Sequence, residues 1–282
     1  MGVADHSPHL ARAAGLLLGV AGGWLAGRLA DVLPRLHRIS PLVEGRQRTR
    51  RNVVLALLGA LCGSALVHVS LGSVASAVLV TGQLGLLVML LAAAAIDLEH
   101  MVLPHELTLG GAAVAVALGA LHPGGLTAAL LGVAVALAIS VVPSFLYRRI
   151  RGHAGAGFGD TTLTLFAGAW FGPLGAVWVL FAGAVQVVLG AWILRLAGRS
   201  FPVPESVRRE MVELHARAEA GDEEARELLA DDPMAVDTEE GEDERASAMR
   251  LPMGPFLVLA CLEFLFFGDS IARLAQQLLL SK

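Results

Sequence analysis

The chain has 282 residues, of which 55% are hydrophobic and 16% charged, with a mean hydropathy of +0.67 and a net charge of −4. A soluble core of this size would carry more charge, and several apolar runs approach the length that spans a bilayer, so the composition excludes an ordinary soluble domain. The fold class it sets is all-α, a polytopic helical membrane protein. The 32 glycines follow no collagen-like period and suit helices that approach closely in lipid.

Residues 1–9 are polar, and His6 and His9 read as plain terminal residues. The first span occupies 1–33: an apolar run from Ala13 to Gly27 that extends to about Leu33. It resembles a signal peptide only superficially, because Arg28 and Asp31 follow it and no A-x-A pattern closes it, so it is read as retained. Residues 34–52 hold six arginines and form a short basic loop, placed in the cytoplasm by the positive-inside rule. Residues 53–198 follow as the membrane core. Its spans are expected at about Val53–Ser70, Ser73–Ile96, Leu107–Leu121, Leu126–Tyr147, Thr161–Gly172 and Leu174–Ala197, the last two separated by Pro173. The turns at 68–72 and 122–125 lack basic residues and face outside. Residues 199–252 are an acidic cytoplasmic insertion, with 13 acidic residues against Arg226 alone between Glu219 and Glu244. Within it, 205–230 has helical composition and a weak apolar stripe, 231–245 reads as disordered, and the whole is expected to be solvated. Residues 253–282 are the last span, with Glu263 and Asp269 inside it. About eight transmembrane helices result, with both termini outside, and only Arg12, Arg273 and Lys282 of the 21 basic residues fall near the outer side.

Cys62 and Cys261 are the only cysteines, and both sit in apolar runs. A zinc site needs about four ligands at short spacing, and none is present, so no metal is expected. The thiols read as buried and inert, with a disulfide between them as the alternative.

Two aspartates stand out because each lies where an apolar segment meets a polar one. Asp97 ends the third span in AAAAIDLEHMVLPHELTLGG, and Asp160 opens the sixth in GAGFGDTTLTLFAGAWFG. A carboxylate at or near the membrane boundary costs about a few kcal/mol or more, depending on depth and reference scale, so an idle one is rare. Singly, Asp160 could be an N-cap and Asp97 an interface marker. Jointly, two carboxylates brought together can share a proton, so that one serves as acid and the other as base on a water between them. Gly155, Gly157 and Gly159 remove side chains where an extended substrate could approach, and permit torsions that other residues avoid. The helix macrodipole favours ionisation at Asp160, on a helix N-terminus, over Asp97, on a C-terminus, which assigns the shared proton to Asp97.

With these residues in view, the chain resembles the type IV prepilin peptidases of the GxGD aspartyl class. IDLEHMVLPHELTLGG is similar to that family's first catalytic motif, including Leu103 and Pro104. GFGD at 157–160 with its trailing LTLFAGAWFG is similar to the second, and LPMGPFLVLACLEFLFFGD at 251–269 resembles the last span. GGWLAG at 22–27 is a weaker match. The resemblance implies an aspartic endopeptidase with Asp97 and Asp160 catalytic and with Gly157, Gly159, Leu103 and Pro104 as substrate-binding or motif positions. Its substrates would be prepilins or type II secretion pseudopilins, cut just after a glycine on the cytoplasmic face of a bacterial inner membrane. The bilayer is the other partner, and no nucleic acid is expected. The chain departs from the family in lacking the four-cysteine zinc loop after the first span and in having Thr162 where a lysine is usual. No cofactor is expected, S-adenosylmethionine entering only if N-methylation of the new terminus is retained. A proton-coupled transporter, or an inactive scaffold of pilus or secretion assembly, are the alternatives; Glu263 and Asp269 within the last span are compatible with the first.

Overall fold

The computed structural model describes residues 7–39, 42–67, 74–119, 124–151, 157–199, 201–231 and 251–280. Among these every regular element is helical. The helices are α1 (Ser7–Leu36), α2 (Gly45–Val67), α3 (Val74–His100), α4 (His105–Ala117), α5 (Gly125–Arg151), α6 (Phe158–Leu196), α7 (Glu205–Glu219), α8 (Glu223–Asp231) and α9 (Gly254–Leu280). Over their described residues the eight apolar runs of the sequence lie almost entirely in helices. Five helices among the described residues are long and apolar enough to cross a membrane: α1, α3, α5, α6 and α9. The described α4 has 13 residues, about 20 Å at 1.5 Å per residue, which falls short of a hydrocarbon core of about 30 Å. In α2 the first turns carry Arg46, Arg48, Arg50 and Arg51, so only its later part is apolar.

The expected separation of the sixth and seventh spans appears as an interruption of α6 at Gly172, whose φ of 74° and ψ of −169° are confined to glycine. Pro173 follows and has no N–H to continue the ladder. The basic stretch expected as a loop over 34–52 is helical from Gly45 onward. Arg51 accounts for this: it lies inward against α1 and α3, paired with Asp31 and Glu99, so this end of α2 is packed as well as charged.

Small residues set the closest helix contacts. Gly19 and Gly23 on α1 face Gly59, Gly63 and Leu55 on α2, backbone against backbone, and Gly132 on α5 meets Gly168 on α6 in the same way. The apolar core, built around Leu86, Leu87, Leu90, Ile96, Leu163, Phe166 and Leu257, lies where α3, α6 and α9 come together. Large side chains such as Leu17, Leu61, Phe181 and Trp192 stay exposed, as a lipid-facing surface requires. Cys62 and Cys261 are both free thiols and buried.

The insertion is less solvated than its composition suggests. α7 and α8 form a hairpin around Gly221, whose φ of 96° needs glycine, and Asp222 caps α8 by accepting from the N–H groups of Glu224 and Ala225 at 3.1 and 3.3 Å. Arg217 beside it holds the Asp222 carboxyl below its usual range. α7 also touches the membrane core: buried Ser206 lies 3.3 Å from Nδ1 of buried His100, at the end of α3. The stretch expected to be disordered, 231–245, lies outside the described residues except for its first position.

Candidate active site

Four helix ends converge on one cleft. α3 stops because Met101 takes a left-handed φ of 52°, with its N–H on the Asp97 carbonyl at 2.8 Å. Pro104, at φ −62° and ψ 129°, then starts α4, its carbonyl accepting from the N–H groups of Leu107 and Thr108 at 3.1 and 3.4 Å. This leaves Asp97 in the last turn of α3, and buried Leu103 in the turn that follows it. Asp160 occupies the first turn of α6, for which Gly157 is the N-cap. The segment entering α9 closes the third side.

Asp97, Leu103, Gly157, Gly159 and Asp160 all line a single open cavity of about 460 Å³. Asp97 and Asp160 thus front the same space although they lie 63 positions apart in the chain. Pro104 is not part of the lining and acts through the turn it makes. Met101, His105 and Phe158 complete this side, with the His105 and Phe158 rings edge to face at 5.2 Å. Leu251, Pro252 and Met253 form the opposite wall. Asp97 is 5% exposed, and its Oδ2 accepts the Gly254 N–H at 2.9 Å.

The glycines act through space and not through unusual torsions. Gly157 has φ −66° and ψ 145°, which any residue adopts, and a Cβ there would lie an ordinary 3.5 Å from Asp160. At Gly159 a Cβ would come within 3.0 Å of the Leu103 Cβ, so the close approach of α6 to the Leu-Pro turn depends on glycine. Gly155 lies outside the described residues. The expected outcome is that Gly157→Ala retains activity whereas Gly159→Val loses about tenfold or more by pushing Asp160 away from Asp97. Rates of the two variants on a common substrate check this.

Thr162 is 1% exposed, two residues beyond Asp160. Its hydroxyl accepts from Thr108 at 3.0 Å and donates to the Gly159 carbonyl at 2.8 Å, tying α4 to the first turn of α6. Glu263 and Asp269 do not line the cavity, and Glu263 accepts from Gln186 of α6 at 2.9 Å. Among the described residues no three His, Cys, Asp or Glu side chains converge on a position that could hold a metal ion. The sequence alone missed the Gly254 contact, although the PMGPF motif marked the segment. It also weighed only one dipole at Asp97, which meets the N-terminus of α9 as well as the C-terminus of α3, so the contrast with Asp160 is smaller than expected.

Fold and site together define a polytopic helical membrane protein with two aspartates, from separate motifs, facing one cleft. Residues 84–194, which contain both, match the type IV leader peptidase family. The chain is 30% identical over 201 residues to the prepilin leader peptidase/N-methyltransferase of Myxococcus xanthus (strain DK1622), an alignment covering 63% of this chain and 59% of that protein. No solved structure matches.

Proposed function

We propose that this protein is a prepilin-type leader peptidase that uses Asp97 and Asp160 as an aspartic pair. The observation that carries the reading is the meeting of both carboxylates, with Gly157, Gly159 and Leu103, in one cavity at the helix ends. One carboxylate takes a proton from a water held between them, and the resulting hydroxide attacks the scissile carbonyl. The other, protonated, donates to the leaving amide nitrogen, so that the pair ends with its proton exchanged and the peptide bond cleaved. Helix ends suit this task because an extended substrate enters from the membrane boundary without unwinding a span.

The substrates proposed are type IV prepilins or type II secretion pseudopilins, cut after a glycine by a site facing the cytoplasm of a bacterial inner membrane. No metal or cofactor enters the scheme, and N-methylation of the new terminus is not part of the proposal. Co-expression with a prepilin tests the reading: a gel shift corresponding to leader loss is expected, and an unprocessed prepilin beside normally inserted protein would refute it. Transporter and scaffold readings both predict no shift.

Deleting Glu219–Glu244 is expected to leave cleavage intact, because α7 keeps its contact with His100 through Ser206, which lies before the deletion. Loss of processing at an unchanged membrane level of the protein would make the segment part of the working enzyme.

A further inference from the structure

The start of α9 supplies a contact to the site that neither motif contains. Gly254 is buried, and its N–H donates to Oδ2 of Asp97 at 2.9 Å. The other backbone groups of this first turn are otherwise engaged or missing. Pro255 has no N–H, and those of Phe256 and Leu257 both go to the Met253 carbonyl at 3.1 Å. The Gly254 N–H is thus the one donor of this turn that reaches the carboxylate. Its residue type is dictated by the same contact. A Cβ at position 254 would lie 2.6 Å from Oδ2, 2.9 Å from Cγ and 3.1 Å from Cβ of Asp97, and those three atoms are its nearest neighbours. No L-side chain fits there while Asp97 keeps its place.

We propose that Gly254 is a positioning residue for the Asp97–Asp160 pair: its N–H fixes one Asp97 oxygen and leaves the other to water, and its lack of a side chain allows α9 to lie against the carboxylate. The proposal rests on the leader peptidase reading for its consequence in catalysis, but the contact itself is a property of the fold. Because Leu251, Pro252 and Met253 line the cavity, the segment entering the last span is both a wall of the cleft and, through Gly254, the element that orients one of its two acids.

Kinetics on a prepilin, combined with thermal unfolding of the detergent-purified protein, test it. Gly254→Ala is expected to lower kcat about a hundredfold with KM unchanged, the scale of a displacement of about 1 Å at a reacting group. It is also expected to lower Tm in the wild-type background and to lower it less in the Asp97→Ala background, because the atoms it collides with are then largely gone. An unchanged kcat, or a loss expressed in KM alone, overturns the proposal. So does a Tm loss of the same size in the Asp97→Ala background, which would make position 254 a packing site only. If Gly254→Ala fails to accumulate, recovery of the Asp97→Ala/Gly254→Ala protein to its normal membrane level supports the contact, and failure to recover overturns it. Should the wild type leave prepilin uncut, the peptidase reading falls while the Tm comparison still decides the contact.

Discussion

Asp97→Asn and Asp160→Asn are each expected to reduce leader removal by about 10²- to 10⁴-fold or more, while insertion and thermal stability stay near those of the parent protein. Asparagine matches aspartate in shape, so in Asp97→Asn the side-chain amide oxygen still accepts the Gly254 N–H and the cavity keeps its volume. What the variant loses is the ability to take up or release a proton. In the proposed mechanism one carboxylate cannot replace the pair, because forming hydroxide needs a base while protonating the leaving nitrogen needs an acid. Each single variant should therefore be nearly as inactive as the double variant, a non-additivity typical of residues that work as a unit. The measurement is the fraction of prepilin converted at matched membrane levels. Substantial conversion by either variant would end the two-aspartate mechanism, and a double variant far below both singles would show that the carboxylates contribute independently.

What the sequence disclosed was what short spacing and hydropathy encode. Asp97 with Leu103 and Pro104, and Gly157 with Gly159 and Asp160, lie within single motifs, and the structure brings both motifs to one cavity. The interruption at Gly172 was legible because a proline follows it and the apolar run is too long for a single crossing. Contacts distant along the chain were not legible. Gly254 and Asp97 are 157 positions apart, and nothing in PMGPF says which side chain its backbone will meet. Likewise, an arginine-rich stretch reads as a loop when its partners are unseen. Only the structure shows Arg51 facing Asp31 and Glu99, 20 and 48 positions away.

The acidic insertion shows the same limit from the opposite direction. Its composition suggests a solvated arm, and most of α7 agrees, with Val212 exposed and Arg209 paired with Glu205 on the surface. Composition does not reveal that its second helical residue, Ser206, is buried against His100, three positions beyond Asp97. One anchored end on an otherwise polar helix leaves no periodic signal, because a single buried serine is not an apolar stripe.

The other large effect is expected at Arg51. Its side chain is 9% exposed and donates to Glu99 at 2.8 Å, to Asp31, and to the Gly27 carbonyl at 3.2 Å, joining α1, α2 and α3 at the end of the bundle that holds the site. Arg48 makes a second contact to Asp31, through Nε at 2.9 Å. Arg51→Ala would leave Glu99 without its cation and Asp31 with only half of its partners. The expected loss is about 3 kcal/mol, the low end for breaking a buried ion pair, because Arg48 remains. Lysine should recover only part of it, since a single ammonium cannot reach both carboxylates and the carbonyl as the guanidinium fork does. Since Glu99 follows Asp97 by two residues, the same change should lower the rate of leader cleavage by loosening the last turn of α3. A neutral set, Asp31→Asn, Arg51→Met and Glu99→Gln together, should be more stable than Arg51→Ala alone, because it leaves no buried charge unpaired, Arg48 being exposed enough to be solvated. Thermal unfolding of the four proteins in one detergent measures the order. If Arg51→Ala unfolds at the temperature of the parent protein, the network is a surface feature that holds nothing together; if the neutral set is the least stable, the charges themselves stabilise the bundle.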